Sequence, residues 1–185
     1  KWRTAGHYQK PFYNTIIEPF AGSAGYSLHY YSRNVTLYDV DVAIYGVWDY
    51  LIKASKNDIL SLPLDVQHVK DLNICQEAKW LIGFWLNKGT SSPCLQPSKW
   101  MRSNPRTGCY WGKRVRARIA RQVDHIRHWK IVNKSYETAG DVEATWFIDP
   151  PYSGSCGKEY RRRITDYAKL GEWCRSRKGQ IIVCE

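Results

Sequence analysis

A chain of 185 residues can bury a substantial hydrophobic core as one domain, and no apolar run in it approaches the roughly 20 residues that cross a bilayer. Its formal charge of +11 argues for a polyanionic partner, because a field of one sign attracts nucleic acid. Six cysteines with no Cys-x-x-Cys pair and five scattered histidines argue against a zinc or redox centre, so no metal is assigned and free thiols in a reducing cytoplasm are expected.

The chain opens Lys1-Trp2-Arg3, with neither a Met nor the apolar stretch of a signal peptide, and the segment to Asn14 is polar and aromatic without a clear period. Thr15-Ile16-Ile17 is a β-branched run leading into a glycine-rich turn, which predicts a buried strand and then a helix. Val35 to Tyr38 predicts a second strand, ending at Asp39. Ile44, Val47, Trp48 and Leu51 recur at helical spacing, as do Ala78, Leu81, Ile82, Trp85 and Leu86, with Gly89 as the stop of the second helix. Val115, Ile119, Val123 and Ile126 mark the apolar stripe of a further helix. Lys130 to Asn133 and Ala144 to Ile148 are the next strand candidates. Tyr167, Leu170 and Cys174 suggest a helix closed by Gly179, before a last strand from Gln180 to Cys184. That final run has the character of a buried strand cut at a sheet edge, so the chain is expected to be a piece of a longer protein. Alternating strands and helices predict an α/β domain with a mostly parallel sheet. The stretch 57–129 is too long for one crossover and reads as an inserted region, leaving 1–56 and 130–185 as the sheet-bearing domain.

Charge is concentrated rather than spread. Between Lys99 and Lys130 there are ten Lys or Arg and one acid, Asp124, a net +9. Arg114, Arg116, Arg118, Arg121 and Arg127 cover much of the helix surface around the apolar stripe. Such a face is either merely solvated or built for phosphates. The interleaving of Trp100, Tyr110, Trp111 and Trp129 favours nucleic acid, since aromatic and guanidinium faces stack on bases.

Three short motifs carry candidate chemistry. Glu18-Pro19-Phe20-Ala21-Gly22-Ser23-Ala24-Gly25 follows the first strand; its glycines permit either a plain tight turn or the close approach of a ligand to the backbone. Asp39 stands at the carboxyl end of the second strand, where an acid either accepts ribose hydroxyls or caps the next helix; Asp41 competes for the role. Asp149-Pro150-Pro151-Tyr152 follows an apolar strand. Two prolines stiffen that chain, so the Asp149 carboxylate and Pro150 carbonyl are fixed acceptors suited to an amino group, with Tyr152 a face for a planar ring. Its plainer reading is a rigid turn.

Taken together, Glu18 to Gly25, Leu37-Tyr38-Asp39-Val40-Asp41 and Phe147-Ile148-Asp149-Pro150-Pro151-Tyr152 resemble the DNA adenine methylase family, in the family's order and over nearly the whole chain. The resemblance implies a Rossmann-like α/β fold with a helical basic insertion, S-adenosyl-L-methionine as cofactor and DNA as partner, in the cytoplasm of a bacterial or phage-infected cell. It implies that Trp2, Glu18, Pro19, Phe20, Ala21, Gly22, Ser23, Gly25, Asp39, Val40, Ser135 and Asp149 bind the cofactor. It implies further that Asp149, Pro150, Pro151 and Tyr152 hold the target base, and that Arg114, Arg116, Arg118 and Arg121 lie in the target-recognition region. The chain departs from the family pattern in two places. Lys1-Trp2 is followed by Ala5-Gly6-His7 where members carry Gly-Gly-Lys, and Ser135 stands where an acid is often found beside the cofactor adenine, with Asp141 further on. An N4-cytosine methyltransferase and a DNA-binding module without activity are the alternatives.

Overall fold

Among the described residues five short runs rich in β-branched and aromatic residues pair side by side: β1 Thr15–Glu18, β2 Asn34–Tyr38, β3 Lys130–Val132, β4 Ala144–Ile148 and β5 Gly179–Val183. The computed structural model describes residues 2–87, 90–103, 110–151 and 164–184, the side chains of 2 and 3 excepted. The chain divides into two compact units, one made of Lys1–Tyr45 with His128–Glu185 and the other of Gly46–Arg127.

The first unit holds the sheet, in the order β3-β2-β1-β4-β5 with every pairing parallel. The chain thus builds outward from β1 through β2 to β3, then returns to the other side of β1 as β4 and β5. The switch point lies between β1 and β4, the place where parallel α/β sheets open a crevice at their carboxyl ends. This is a mixed α/β architecture compatible with a Rossmann-like fold.

All five residues of β4 are buried, as expected of a central strand covered on both faces. On one face Trp146 and Ile148 join Ile17, Tyr136, Ala139, Leu170 and Cys174 in a core that α7, Tyr167–Arg175, closes. On the other face Phe147 stacks on Tyr26 at 4.3 Å, which is fully buried and whose hydroxyl reaches the Gln9 carbonyl at 2.7 Å. An aromatic pair of this kind is worth about 0.5–1.5 kcal/mol beyond its area.

Two local expectations are corrected. The glycine-rich turn leads into a single 3-10 turn, Ser27–Tyr30, and not into an α-helix. The reason lies beneath it: the Glu18 carboxylate, 2 % exposed, takes the Ser27 N–H at 2.7 Å, and Tyr26 is locked in the core, so the chain is pinned before a longer helix forms. Gly179 likewise does not close α7. That helix ends at Ser176, whose N–H turns back to the Glu172 and Trp173 carbonyls, while Gly179 begins β5 at φ +103°. A Cβ on Gly179 would stand 2.3 Å from the Ala144 carbonyl oxygen, so the glycine is required by close strand approach.

The second unit is helical. α2, Val42–Lys53, begins in the first unit and crosses the boundary; α3, Lys56–Ser61, α4, Gln76–Leu86, α5, Lys99–Ser103, and α6, Lys113–Gln122, follow. A capping box starts α3: the Ser55 hydroxyl takes the Asp58 N–H at 3.1 Å and the Asp58 carboxylate takes the Ser55 N–H at 2.7 Å. α6 packs along α3 and turns Val115, Ile119 and Ala120 inward; the 3-10 turn Val123–Ile126 extends that stripe. Val66, Val69, Ile82 and Leu86 form a separate small core with Trp111 against it. No helix among the described residues is long and apolar enough to cross a membrane.

Candidate functional site

Strand register brings the three sequence motifs to one edge of the sheet. Glu18 pairs with Leu37, and Ile17 with Trp146, so the chain leaves β1, β2 and β4 side by side at Phe20, Asp39 and Asp149. The Ala21 N–H bonds the Tyr38 carbonyl at 2.8 Å, fixing the glycine turn to the end of β2.

Within that turn Gly22 and Ala24 both have φ +45°. Gly22 accommodates this freely, while Ala24 is held in a left-handed conformation that costs about 1–2 kcal/mol. A Cβ on Gly22 would meet nothing within 4 Å, so open space lies against its backbone. Gly22 and Ser23 are exposed, whereas Pro19, Ala21, Ala24 and Gly25 are buried and shape the turn from below. Glu18 shapes it too, since its carboxylate points into the core at Ser27. Phe20 is half-buried and packs on Tyr136 at 5.2 Å.

Asp39 faces the turn directly. One carboxylate oxygen takes the Gly22 N–H at 3.1 Å and the other the Asp41 N–H at 2.9 Å. Burial pushes its pKa above the usual aspartate value, against the pull of those N–H bonds. A carboxylate offers about four lone pairs, so acceptor capacity remains for two hydroxyl donors. The helix-cap role belongs to its rival: Asp41 takes the Ala43 N–H at 2.8 Å and the Ile44 N–H at 3.4 Å at the start of α2. Val40 between them is exposed.

Asp149 is half-buried and Pro150 buried immediately after β4, and the Pro151 carbonyl accepts the Tyr167 hydroxyl at the start of α7. Sequence reasoning missed Tyr167; a tyrosine opening a helix carries no signal that it will brace a proline turn 16 residues earlier. Tyr152 lies outside the described residues, as does the side chain of Trp2.

Ser135 follows β3 at the same edge, where its hydroxyl accepts the Glu137 N–H at 3.4 Å and caps the 3-10 turn Tyr136–Thr138. That turn carries Tyr136 onto Phe20, a second contact the sequence did not signal. Asp141 belongs elsewhere. It pairs with Lys178 at 2.9 Å, just before the amino ends of β4 and β5, so it is not at the carboxyl edge.

In the second unit Arg114, Arg118 and Arg121 are exposed on α6 and line a shallow depression with Lys113 and Ala117. The Arg118 guanidinium lies 5.2 Å from the Trp85 ring centre. Arg116 points the other way, and its guanidinium donates to the Leu62 carbonyl at 2.6 Å. The aromatics divide similarly. Trp100 is 55 % exposed beside Tyr110, but the Trp111 indole N–H is bound to the Pro63 carbonyl at 2.7 Å. Trp129, in the first unit, is 3 % exposed and donates to the Tyr31 carbonyl at 3.0 Å. Trp129 is therefore structural, while Trp111 is half-buried with its indole N–H engaged within the unit.

Among the described residues no group of three or more His, Cys, Asp or Glu is placed to hold a metal ion. Cys75, Cys94 and Cys174 are free thiols. No family model and no curated protein matches the chain.

Proposed function

We propose that the chain transfers a methyl group from S-adenosyl-L-methionine to an exocyclic amino group of a DNA base, the N6 of adenine. The observation that carries this reading is the meeting of the open Gly22 backbone, the Asp39 carboxylate and the Asp149-Pro150 acceptors at one carboxyl edge, beside the switch point of a parallel sheet.

The residues fit such a cofactor. The space against Gly22 admits a ligand at backbone distance, and Asp39 retains lone pairs for the two ribose hydroxyls. Phe20, Ala21, Ser23 and Gly25 form the remaining wall of the turn. When bound, S-adenosylmethionine supplies an electrophilic methyl on a sulfonium. The chain's part is to present the amino group. A base inside a duplex is out of reach and must be turned out of the stack, at a few kcal/mol. The Asp149 carboxylate and Pro150 carbonyl accept the two amino hydrogens, orienting the nitrogen lone pair, and Tyr152 offers the ring face that the resemblance assigns to it. The exposed arginines of α6 supply phosphate contacts in sequence-independent binding.

Incubation with labelled S-adenosylmethionine and DNA, followed by digestion to nucleosides and mass spectrometry, tests the reading. N6-methyladenine is expected. N4-methylcytosine without N6-methyladenine would overturn the choice of base and leave amino methylation standing, while no labelled nucleoside would overturn the activity.

A further inference from the structure

Residues 6–14, between α1 (Trp2–Ala5) and β1, contain neither helix nor strand, yet the side chains of Gln180 and Thr145 and the Asn34 N–H fasten them to the sheet, Gln180 with the most bonds. Gln180, the second residue of β5, is 7 % exposed. Its Oε1 accepts the Phe12 N–H at 2.9 Å and the Thr145 hydroxyl at 2.8 Å. Its Nε2 donates to the Lys10 carbonyl at 3.0 Å and to Gln9 Oε1 at 3.4 Å. Thr145 passes the connection on, accepting the Tyr13 N–H at 3.3 Å. Both lone pairs and both hydrogens of the amide are used.

A polar residue here is not what packing alone selects. β5 ends the described sheet and buries alternate positions only, and a buried position is most often filled by an apolar residue. In Gly179-Gln180-Ile181-Ile182-Val183 the buried positions are Gln180 and Ile182, and a leucine or methionine would fill the first as well. What an apolar residue lacks is the means to pair the backbone of a crossing segment.

That segment leads from Gln180 toward the carboxyl edge. The Tyr26 hydroxyl, one residue beyond the glycine turn, donates to the Gln9 carbonyl at 2.7 Å. Tyr8 meets Phe147 edge-on at 5.3 Å, two residues before Asp149. Gly6 lies against the His29 ring, and Ala5 is buried. The segment therefore touches Tyr26, the 3-10 turn that follows it and the strand that ends in Asp149.

We propose that Gln180 is a positioning residue: it latches residues 9–13 across β4 and β5, holds Tyr8 on Phe147 and the Gln9 carbonyl on Tyr26, and through Tyr26 fixes the glycine turn that takes the cofactor. The cofactor half of this proposal rests on the methyl-transfer reading; the latch itself does not. Two substitutions of opposite character isolate it. Gln180→Met keeps the volume and removes all four hydrogen bonds, while Gln180→Glu keeps the two acceptor bonds and removes the two donated to Lys10 and Gln9.

Hydrogen exchange of the amides and S-adenosylmethionine titration are measured on the whole chain. In a variant whose β1 and β4 amides remain protected, exchange at residues 8–13 should accelerate at least tenfold. The dissociation constant for S-adenosylmethionine should rise tenfold or more, with the rate at saturating cofactor within about threefold. Undisturbed protection at 8–13 in either folded variant overturns the latch. A segment that opens while cofactor affinity is unchanged overturns the positioning role. A parent chain that binds no S-adenosylmethionine counts against the methyl-transfer reading instead, and exchange at 8–13 and at the 21–25 turn then decides the latch alone.

Discussion

Asp39 and Asp149 end the two strands that flank β1, yet they face different partners, and substitution should separate them. Asp149 follows the stiff edge of β4, on the far side of β1 from the clamp that joins Asp39 to Gly22. On the proposed reading Asp149→Ala abolishes transfer to DNA while cofactor affinity stays within a few fold; equal loss of both would show that Asp149 serves the cofactor. Asp39→Ala removes an acceptor for the ribose together with the clamp on Gly22, and should weaken cofactor binding by about 1.5–3 kcal/mol, the scale of a charge-assisted hydrogen bond. Asp41→Ala is the contrast, lowering stability by about 1 kcal/mol through the lost α2 cap and leaving cofactor affinity unchanged. Calorimetric titration beside urea unfolding reads both quantities. The sequence could not decide between Asp39 and Asp41, because both follow a strand and precede a helix; only the N–H groups each one meets distinguish them. Glu18 shows the same limit. Its place in the glycine motif suggests a ligand wall; in the structure one oxygen of its buried carboxylate takes the Ser27 N–H, a bond the motif does not signal.

The strands and longer helices were legible because period and punctuation agreed: β-branched runs end at Gly, Asp or Pro, and apolar residues recur at three and four along α2, α4 and α6. Expectations failed where one residue type serves two purposes. A glycine after a helix reads as its stop, yet Gly179 exists for β5 to pass close to Ala144. Gly179→Ala should therefore destabilise the first unit by about 1–3 kcal/mol from backbone conformation alone, more with the clash, whereas a mere helix stop would tolerate it better. Chemical denaturation gives the number, and a loss below about 0.5 kcal/mol would contradict the close approach. The capping box of α3 is written in the sequence as Ser55-x-x-Asp58. The hydroxyl and N–H of Ser55 hold the Asp58 carboxyl below its ordinary value of 3.8. For an acid with a lowered folded-state pKa, the stabilising contribution is complete above the unfolded value of 3.8 and is lost as pH falls through the lower folded value. Ser55→Ala, which removes the cap, should thus lower the melting temperature at pH 6 and have a smaller effect at pH 2–3. An effect of equal size at both pH values would show that the Ser55 hydroxyl does not act through the carboxylate.

Across the whole molecule the +11 charge is carried unevenly. Residue types alone reveal that distribution, but they do not reveal the direction each arginine points. A run of Arg at every second position, Arg114, Arg116, Arg118, alternates around a helix, and an inward acceptor claims one of them. The Leu62 carbonyl claims Arg116, leaving Arg114, Arg118 and Arg121 outward. If these three meet phosphates, each contact releases condensed counterions, and log affinity for duplex DNA falls with log salt by about 0.9 per contact. Replacing Arg114, Arg118 and Arg121 together by Gln should therefore flatten the slope by up to about 2.7, with the largest loss of affinity at low salt. Arg116→Gln should behave otherwise. It leaves the Leu62 carbonyl without its donor, so it should lower the stability of the second unit and change the salt slope little. Fluorescence anisotropy with a labelled duplex across a salt series, run beside thermal unfolding of each variant, distinguishes the two behaviours. A triple variant with the parental slope would remove the outward face of α6 from the interface, and an Arg116 variant that flattens the slope without losing stability would show that this guanidinium leaves Leu62 to meet the phosphates.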